Sequence, residues 1–174
     1  LFGINKRKII VSTRKYPEIF PGNFLVIIRH EPGHFPEFKD RFVKQALAGE
    51  PITVFGDGKQ TRTFTHVTDA VGAILKLAKH PGAIGQIFNI GGIEETSIQD
   101  LAQVVSRLLH SSSSIIQIPY EEAYEEGFED MPRRVPDISK IQNLIGFEPT
   151  YSLEHIIDAV VENMRQKEIL TGRP

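Results

Sequence analysis

The sequence predicts an α/β fold of short strands with several amphipathic helices. Three observations carry that expectation. Short β-branched or aromatic runs, such as Ile52–Phe55 and Ile115–Ile118, are bounded by Gly, Pro and Ser. They alternate with stretches whose apolar residues recur every three to four positions, as in Leu153, Ile156, Ile157, Val160 and Met164. Between them stands Gly56-Asp57-Gly58, a turn whose glycines reach positive φ at no steric cost.

The 174 residues suffice for one ordinary domain and are too few for two full ones. A hydrophobic content of 40% and a charged content of 24% fit a globular chain that needs no membrane. The net charge of −2 gives no reason to expect a nucleic-acid partner. No apolar run approaches a membrane span, and the lack of cysteine removes disulfide and thiol chemistry. A cytoplasmic location follows as the expectation. The chain starts at Leu1 and not at Met, which suits a fragment or a processed product.

Residues 1–23 gather Lys6, Arg7, Lys8, Arg14 and Lys15 before the first acid, Glu18, and a solvated terminus is expected there. Ile9–Val11 and Phe24–Ile28 are short strand candidates. His30-Glu31-Pro32-Gly33-His34 fits the H-E-x-x-H zinc pattern, which needs a helix to bring both histidines to one face. Pro32 and Gly33 oppose that helix, so a loop is expected and a zinc hydrolase is kept as the alternative.

Phe38–Ala48 is an amphipathic helix, pairing Phe42 with Ala46 and Val43 with Leu47, and Gly49 stops it. Thr63–Val67 is strand-like, so a hairpin with Ile52–Phe55 across Gly56–Gln60 is expected. Thr68 then caps a helix over 69–79, with Val71, Ile74, Leu75 and Ala78 inward and His80 at its end.

Gln86–Ile90 is a strand candidate. Thr96 with Gln99 forms a capping box for a helix that buries Ile98, Leu101, Ala102, Val105 and Leu108. Ser111–Ser114 is a linker, and Tyr120–Asp130 an acidic, solvated stretch. A short helix follows Asp137 and ends at Gly146, and Ser152 caps the last helix, which gives way to a frayed tail from Gln166.

Arg62, just past the central turn, offers a planar fork of donors suited to phosphate or carboxylate, with Lys59 as a softer second charge. On the residues alone, a polar hairpin with a solvated arginine is an equal reading. The run Gly56-Asp57-Gly58-Lys59-Gln60-Thr61-Arg62-Thr63-Phe64-Thr65-His66-Val67-Thr68-Asp69 resembles the signature of extended short-chain dehydrogenase/reductases, the NAD-dependent nucleotide-sugar epimerases, dehydratases and decarboxylases. The similarity extends from about Arg41 to about Met164.

The resemblance implies NAD for the intact enzyme and a UDP-sugar or other nucleotide sugar as partner. In such enzymes hydride passes from the sugar ring to NAD, leaving a keto intermediate that is re-reduced, dehydrated or decarboxylated. It also implies that Arg62 and Arg134 grip the diphosphate, approaching from opposite sides of the pocket. Without it, Arg134 would be taken to neutralise the acidic stretch before it.

Two family features are absent from these residues. No glycine-rich turn joins a strand to a helix in the pattern that cradles a dinucleotide pyrophosphate. None of Tyr16, Tyr120, Tyr124 and Tyr151 has a lysine four residues on, so no Tyr-x-x-x-Lys pair exists.

The expected organisation is a divergent segment over 1–35, a nucleotide-sugar-binding domain over 36–166 and a tail over 167–174, with the Rossmann cofactor domain largely absent. The expected function is the C-terminal, substrate-binding portion of such an enzyme, inactive alone and binding no NAD itself. A separate cofactor-domain polypeptide would complete it. A nucleotide-sugar binding module without catalysis is the second reading.

Overall fold

The computed structural model describes residues 8–12, 25–29, 38–123 and 131–171, with side chains over 40–122 and 131–166. The architecture is α/β, with small sheets and several helices, as the sequence predicts. The chain divides into two compact units, interleaved in sequence.

The first unit takes residues 1–35, 65–91 and 136–150. Strands β1 (Lys8–Ser12) and β2 (Leu25–Arg29) pair antiparallel, with Ile10 opposite Ile27. Helix α2 (Val67–Lys79) belongs here and begins two residues before the expected start. Its N-cap is His66, not Thr68: the imidazole Nδ1 accepts the Thr68 amide at 3.2 Å. His66 has the extended backbone of a cap, and its ring nitrogen serves where a serine or aspartate oxygen usually does. His80 repeats the device at the other end, accepting the Gly82 amide at 3.1 Å as the chain enters a 3-10 turn over Pro81–Ala83.

The buried stripe of α2 is centred on Ala73 and Leu77, with Ile74 and Ala78 partly covered. Val71 and Leu75 are instead exposed, which corrects the expected stripe. The helix carries apolar residues on two faces, and periodicity alone does not choose between them. Helix α5 (Ser139–Ile145) closes this core through Ile141, with Ile138 and Phe147 flanking the helix. It ends on Gly146 at φ +63, as expected. The segment 86–90 forms no strand. Phe88 and Ile90 pack against the core while the Asn89 amide donates to the Asp137 carbonyl at 3.0 Å, so the chain is held without a ladder.

The second unit takes residues 36–64, 92–135 and 151–174. Helices α1 (Phe38–Ala48), α3 (Ile98–Leu108) and α6 (Leu153–Thr171) pack on one another, and α1 and α3 also pack on strand β3 (Ile52–Phe55). Phe42, Val43, Ile52, Val54, Leu101 and Ile157 are completely buried in this core. Leu47 is exposed, so the second expected pair on α1 is not a buried one. On α6 it is Val161 that is buried, and the helix continues through Thr171 where a frayed tail is expected.

The expected hairpin does not form. Strand β3 pairs in parallel with β6 (Ile115–Ile118), in a register that sets Ile52 opposite Ile115. Strand β4 (Thr61–Thr63) lies in another sheet, between β5 (Glu95–Ser97) and β7 (Arg133–Arg134), antiparallel to the first and parallel to the second. Gly56–Gln60 therefore hands the chain from one sheet to the next. Strand β4 also stops at Thr63, short of the expected Val67.

The cap of α3 is displaced by one residue from the expected Thr96: the Ser97 hydroxyl accepts the Asp100 amide at 3.0 Å. Ser111–Ser114 is an irregular linker that is anchored, since the Ser111 hydroxyl donates to the Ala46 carbonyl at 2.9 Å. The short helix α4 (Tyr120–Ala123) follows β6. Among the described residues, no helix is long and apolar enough to cross a membrane.

Candidate functional site

The turn after β3 is built into the second unit from several sides. Gly56 sits at φ +71, and a Cβ there would lie 2.3 Å from the Tyr120 ring. Its amide donates to the Ile118 carbonyl at 2.8 Å, continuing the β3–β6 pairing. Gly58, at φ +72, leaves room that Val54 and Gln99 occupy, and its carbonyl accepts the Gln99 amide at 3.0 Å. Asp57 accepts the Lys59 amide at 2.9 Å, and that bond holds its carboxyl below the ordinary range. Lys59 pairs with Asp57 at 3.4 Å in full solvent, so its charge is partly answered locally.

Gln60 is buried, and its Nε2 donates to the Phe55 carbonyl at 3.0 Å and the Tyr120 hydroxyl at 2.9 Å. Much of the glycine-aspartate-glycine signature is thus explained by packing: it joins β3, β6, α3 and Tyr120 where the chain enters β4.

Arg62 is the middle residue of β4 and retains only 9% exposure. Its Nη1 donates to its neighbour's carbonyl, Thr61, at 2.6 Å and to Met131 at 2.9 Å. Those two carbonyls fix the plane of the guanidinium. In the ladder, Arg62 stands opposite Thr96 of β5 on one side and Arg134 of β7 on the other. Side chains in register on adjacent strands share a face, so Thr96, Arg62 and Arg134 form one row across the sheet. Arg134 is half-buried. The two arginines thus lie side by side in the ladder.

The opposite face carries Thr61, Glu95 and Arg133. The Arg133 guanidinium grips the Glu95 carboxylate in a bidentate pair: Nε donates to both oxygens at 3.0 and 3.1 Å, and Nη2 to Oε2 at 2.9 Å. The Thr61 hydroxyl also donates to Glu95. The Arg133 bonds, and then that of Thr61, hold the Glu95 carboxyl below its ordinary value. Sequence reasoning missed this cluster, because nothing in a linear reading ties residue 95 to residue 133.

These residues do not fit an NAD pyrophosphate. The Gly56–Gly58 turn leads into a strand, and Tyr120, Val54 and Gln99 fill the space beside its glycines, where a cradle needs open backbone at a helix start. Among the described residues, no group of three or more metal-ligating side chains is close enough to hold a metal ion. His30-Glu31-Pro32-Gly33-His34 and most of the acidic stretch, 124–130, lie outside the described residues.

The sequence model of the NAD dependent epimerase/dehydratase family matches residues 28–91. A UDP-N-acetyl-alpha-D-glucosaminuronate decarboxylase from Bacillus cytotoxicus is 40% identical over 152 residues, covering 83% of this chain and 47% of that protein. UDP-glucuronic acid decarboxylase 2 of Arabidopsis thaliana is 38% identical over 128 residues, covering 72% of this chain and 26% of that protein. The chain thus spans less than half the length of these relatives.

Among solved structures, the UDP-glucuronic acid 4-epimerase from Bacillus cereus, in complex with UDP-glucuronic acid and NAD, superposes with a TM-score of 0.67. The sequences are 28% identical, and the match covers 80% of this chain and 42% of that one.

Proposed function

The chain belongs to the NAD-dependent epimerase/dehydratase family, and from that premise we propose that it supplies the grip on a UDP-sugar. The observation that carries the reading is the ladder pairing of Arg62 with Arg134. Two guanidinium groups on one face of a sheet set two positive charges beside one another, a match in charge for the two negative phosphates of a nucleotide diphosphate. The names of the relatives support the class of ligand: decarboxylases of UDP-linked uronic acids, and an epimerase whose structure holds UDP-glucuronic acid.

In this reading the chain's own residues bind and orient the substrate. NAD belongs to the intact enzyme, and the residues here neither cradle its pyrophosphate nor supply a Tyr-x-x-x-Lys base. The 174-residue chain by itself therefore binds UDP without epimerising or decarboxylating a UDP-sugar. A charge-assisted contact contributes about 1.5–3 kcal/mol, so losing one weakens binding by about tenfold or more. Calorimetric titration of UDP into Arg62→Ala and Arg134→Ala variants tests the site. Loss of that size in each is expected, with little recovery in the Lys variants. Unchanged affinity in both would remove the site.

A further inference from the structure

Strand β7 is only two residues long, Arg133–Arg134, yet it must present Arg134 beside Arg62. A two-residue strand has little ladder of its own to fix it. What crosses the sheet to hold it is Glu95, on the far strand β5. Its carboxylate reaches over Thr61 of the middle strand, accepts that hydroxyl on the way, and closes a bidentate pair on Arg133. The pair ties the two outer strands of a three-stranded sheet together on the face opposite Arg62 and Arg134.

Alternation along β7 means that fixing the Arg133 side chain on one face fixes the backbone from which Arg134 leaves on the other. We infer that Glu95 is a positioning residue, holding Arg134 in line with Arg62 through the Glu95–Arg133 clamp. This rests on the proposal that the two arginines receive a diphosphate.

The sign of the effect separates this role from plain electrostatics. Glu95 is a negative charge near an anion site, so by Coulomb's law alone its removal should strengthen UDP binding. Positioning predicts the reverse. A clamp of this kind, exposed to solvent, shifts an affinity by about two- to fivefold.

The test is calorimetric titration of UDP and of uridine into the full 174-residue chain and into Glu95→Gln, Arg134→Ala and the double variant. The exchanged pair Glu95→Arg/Arg133→Glu completes the set. The expected result is weaker UDP binding by Glu95→Gln with uridine binding unchanged. No further loss should appear when Glu95→Gln is added to Arg134→Ala, and the exchanged pair should recover affinity.

Equal or tighter UDP binding by Glu95→Gln overturns the inference. So does a loss that is equal for uridine and UDP, or one that adds in full to that of Arg134→Ala. If Arg134→Ala itself leaves UDP affinity unchanged, Arg134 is no part of the diphosphate site and the inference fails, whereas the fate of the site then rests on Arg62→Ala. If Arg134→Ala weakens binding and Glu95→Gln does not, the site stands and only the clamp fails. Should the exchanged pair not fold, judged by circular dichroism, the Glu95→Gln cycle decides alone.

Discussion

Replacing Gly56 with alanine adds a packing cost to a backbone cost at a single atom. Gly56 and Gly49 have nearly the same positive φ, +71 and +69, but a Cβ at Gly49 meets nothing within 4 Å. At Gly56 it would lie 2.3 Å from Tyr120 Cε2 and 2.8 Å from Cζ. The left-handed conformation costs a residue with a Cβ about 1–2 kcal/mol, and both variants bear that. Displacing the Tyr120 ring adds about 1–3 kcal/mol at Gly56 alone, including strain on the Gln60–Tyr120 hydrogen bond.

With a urea m-value of about 2 kcal/mol/M, Gly49→Ala lowers the unfolding midpoint by about 0.5–1 M and Gly56→Ala by about 1–2.5 M. Far-UV circular dichroism across a urea series measures both. Adding Tyr120→Ala should be less harmful in the Gly56→Ala background than in the wild type, because there it also removes the clash. Equal midpoint shifts for the two glycine variants would refute the assignment of the glycine to the ring of Tyr120.

Two other outcomes follow from the same contacts. His66→Ala removes the side-chain cap of α2 and should destabilise the chain by about 1 kcal/mol, with His66→Asn largely restoring it; equal losses in both thermal melts would show that the imidazole is not the cap. The carboxyls of Asp57, Glu95 and Asp137 are held below their ordinary values by the Lys59 amide, the Arg133 guanidinium and the Ser139 hydroxyl respectively. Each folded-state value is depressed, so each contributes stability above its ordinary value that is lost as pH falls through the folded one. The thermal midpoint should therefore drop steadily as pH is lowered below about 4.5, and a midpoint constant down to pH 3.5 would contradict the three contacts.

The helices were legible where one apolar stripe dominates. Phe42, Val43 and Ala46 on α1, and Ile98, Leu101, Ala102 and Val105 on α3, are buried as the spacing predicts. On α2 two apolar faces compete, and only the partners Ile141 and Phe147 decide that Ala73 and Leu77 go inward. The hairpin misreading has a similar cause. A glycine turn between two strand-like runs specifies a reversal locally, but β3 finds its partner in β6, some sixty residues on. Local chemistry carries no record of that pairing.

Arg62 was legible as a guanidinium beside a turn, and Arg134 through the family resemblance. Their shared face was not, because it depends on the register of two strands separated by the whole of α2 and α3. The clamp on the other face was invisible for the same reason. Of the adjacent pair Arg133-Arg134, Arg133 pairs with Glu95 across the sheet, while most of the acidic stretch before the pair lies outside the described residues.

The most direct test of the central claim is a crystal structure of this chain with UDP. The account predicts the diphosphate on the face of β4 and β7 that carries Arg62 and Arg134, with oxygens about 2.7–2.9 Å from both guanidinium groups. A diphosphate bound to Arg133 on the opposite face, or one touching neither Arg62 nor Arg134, would contradict it.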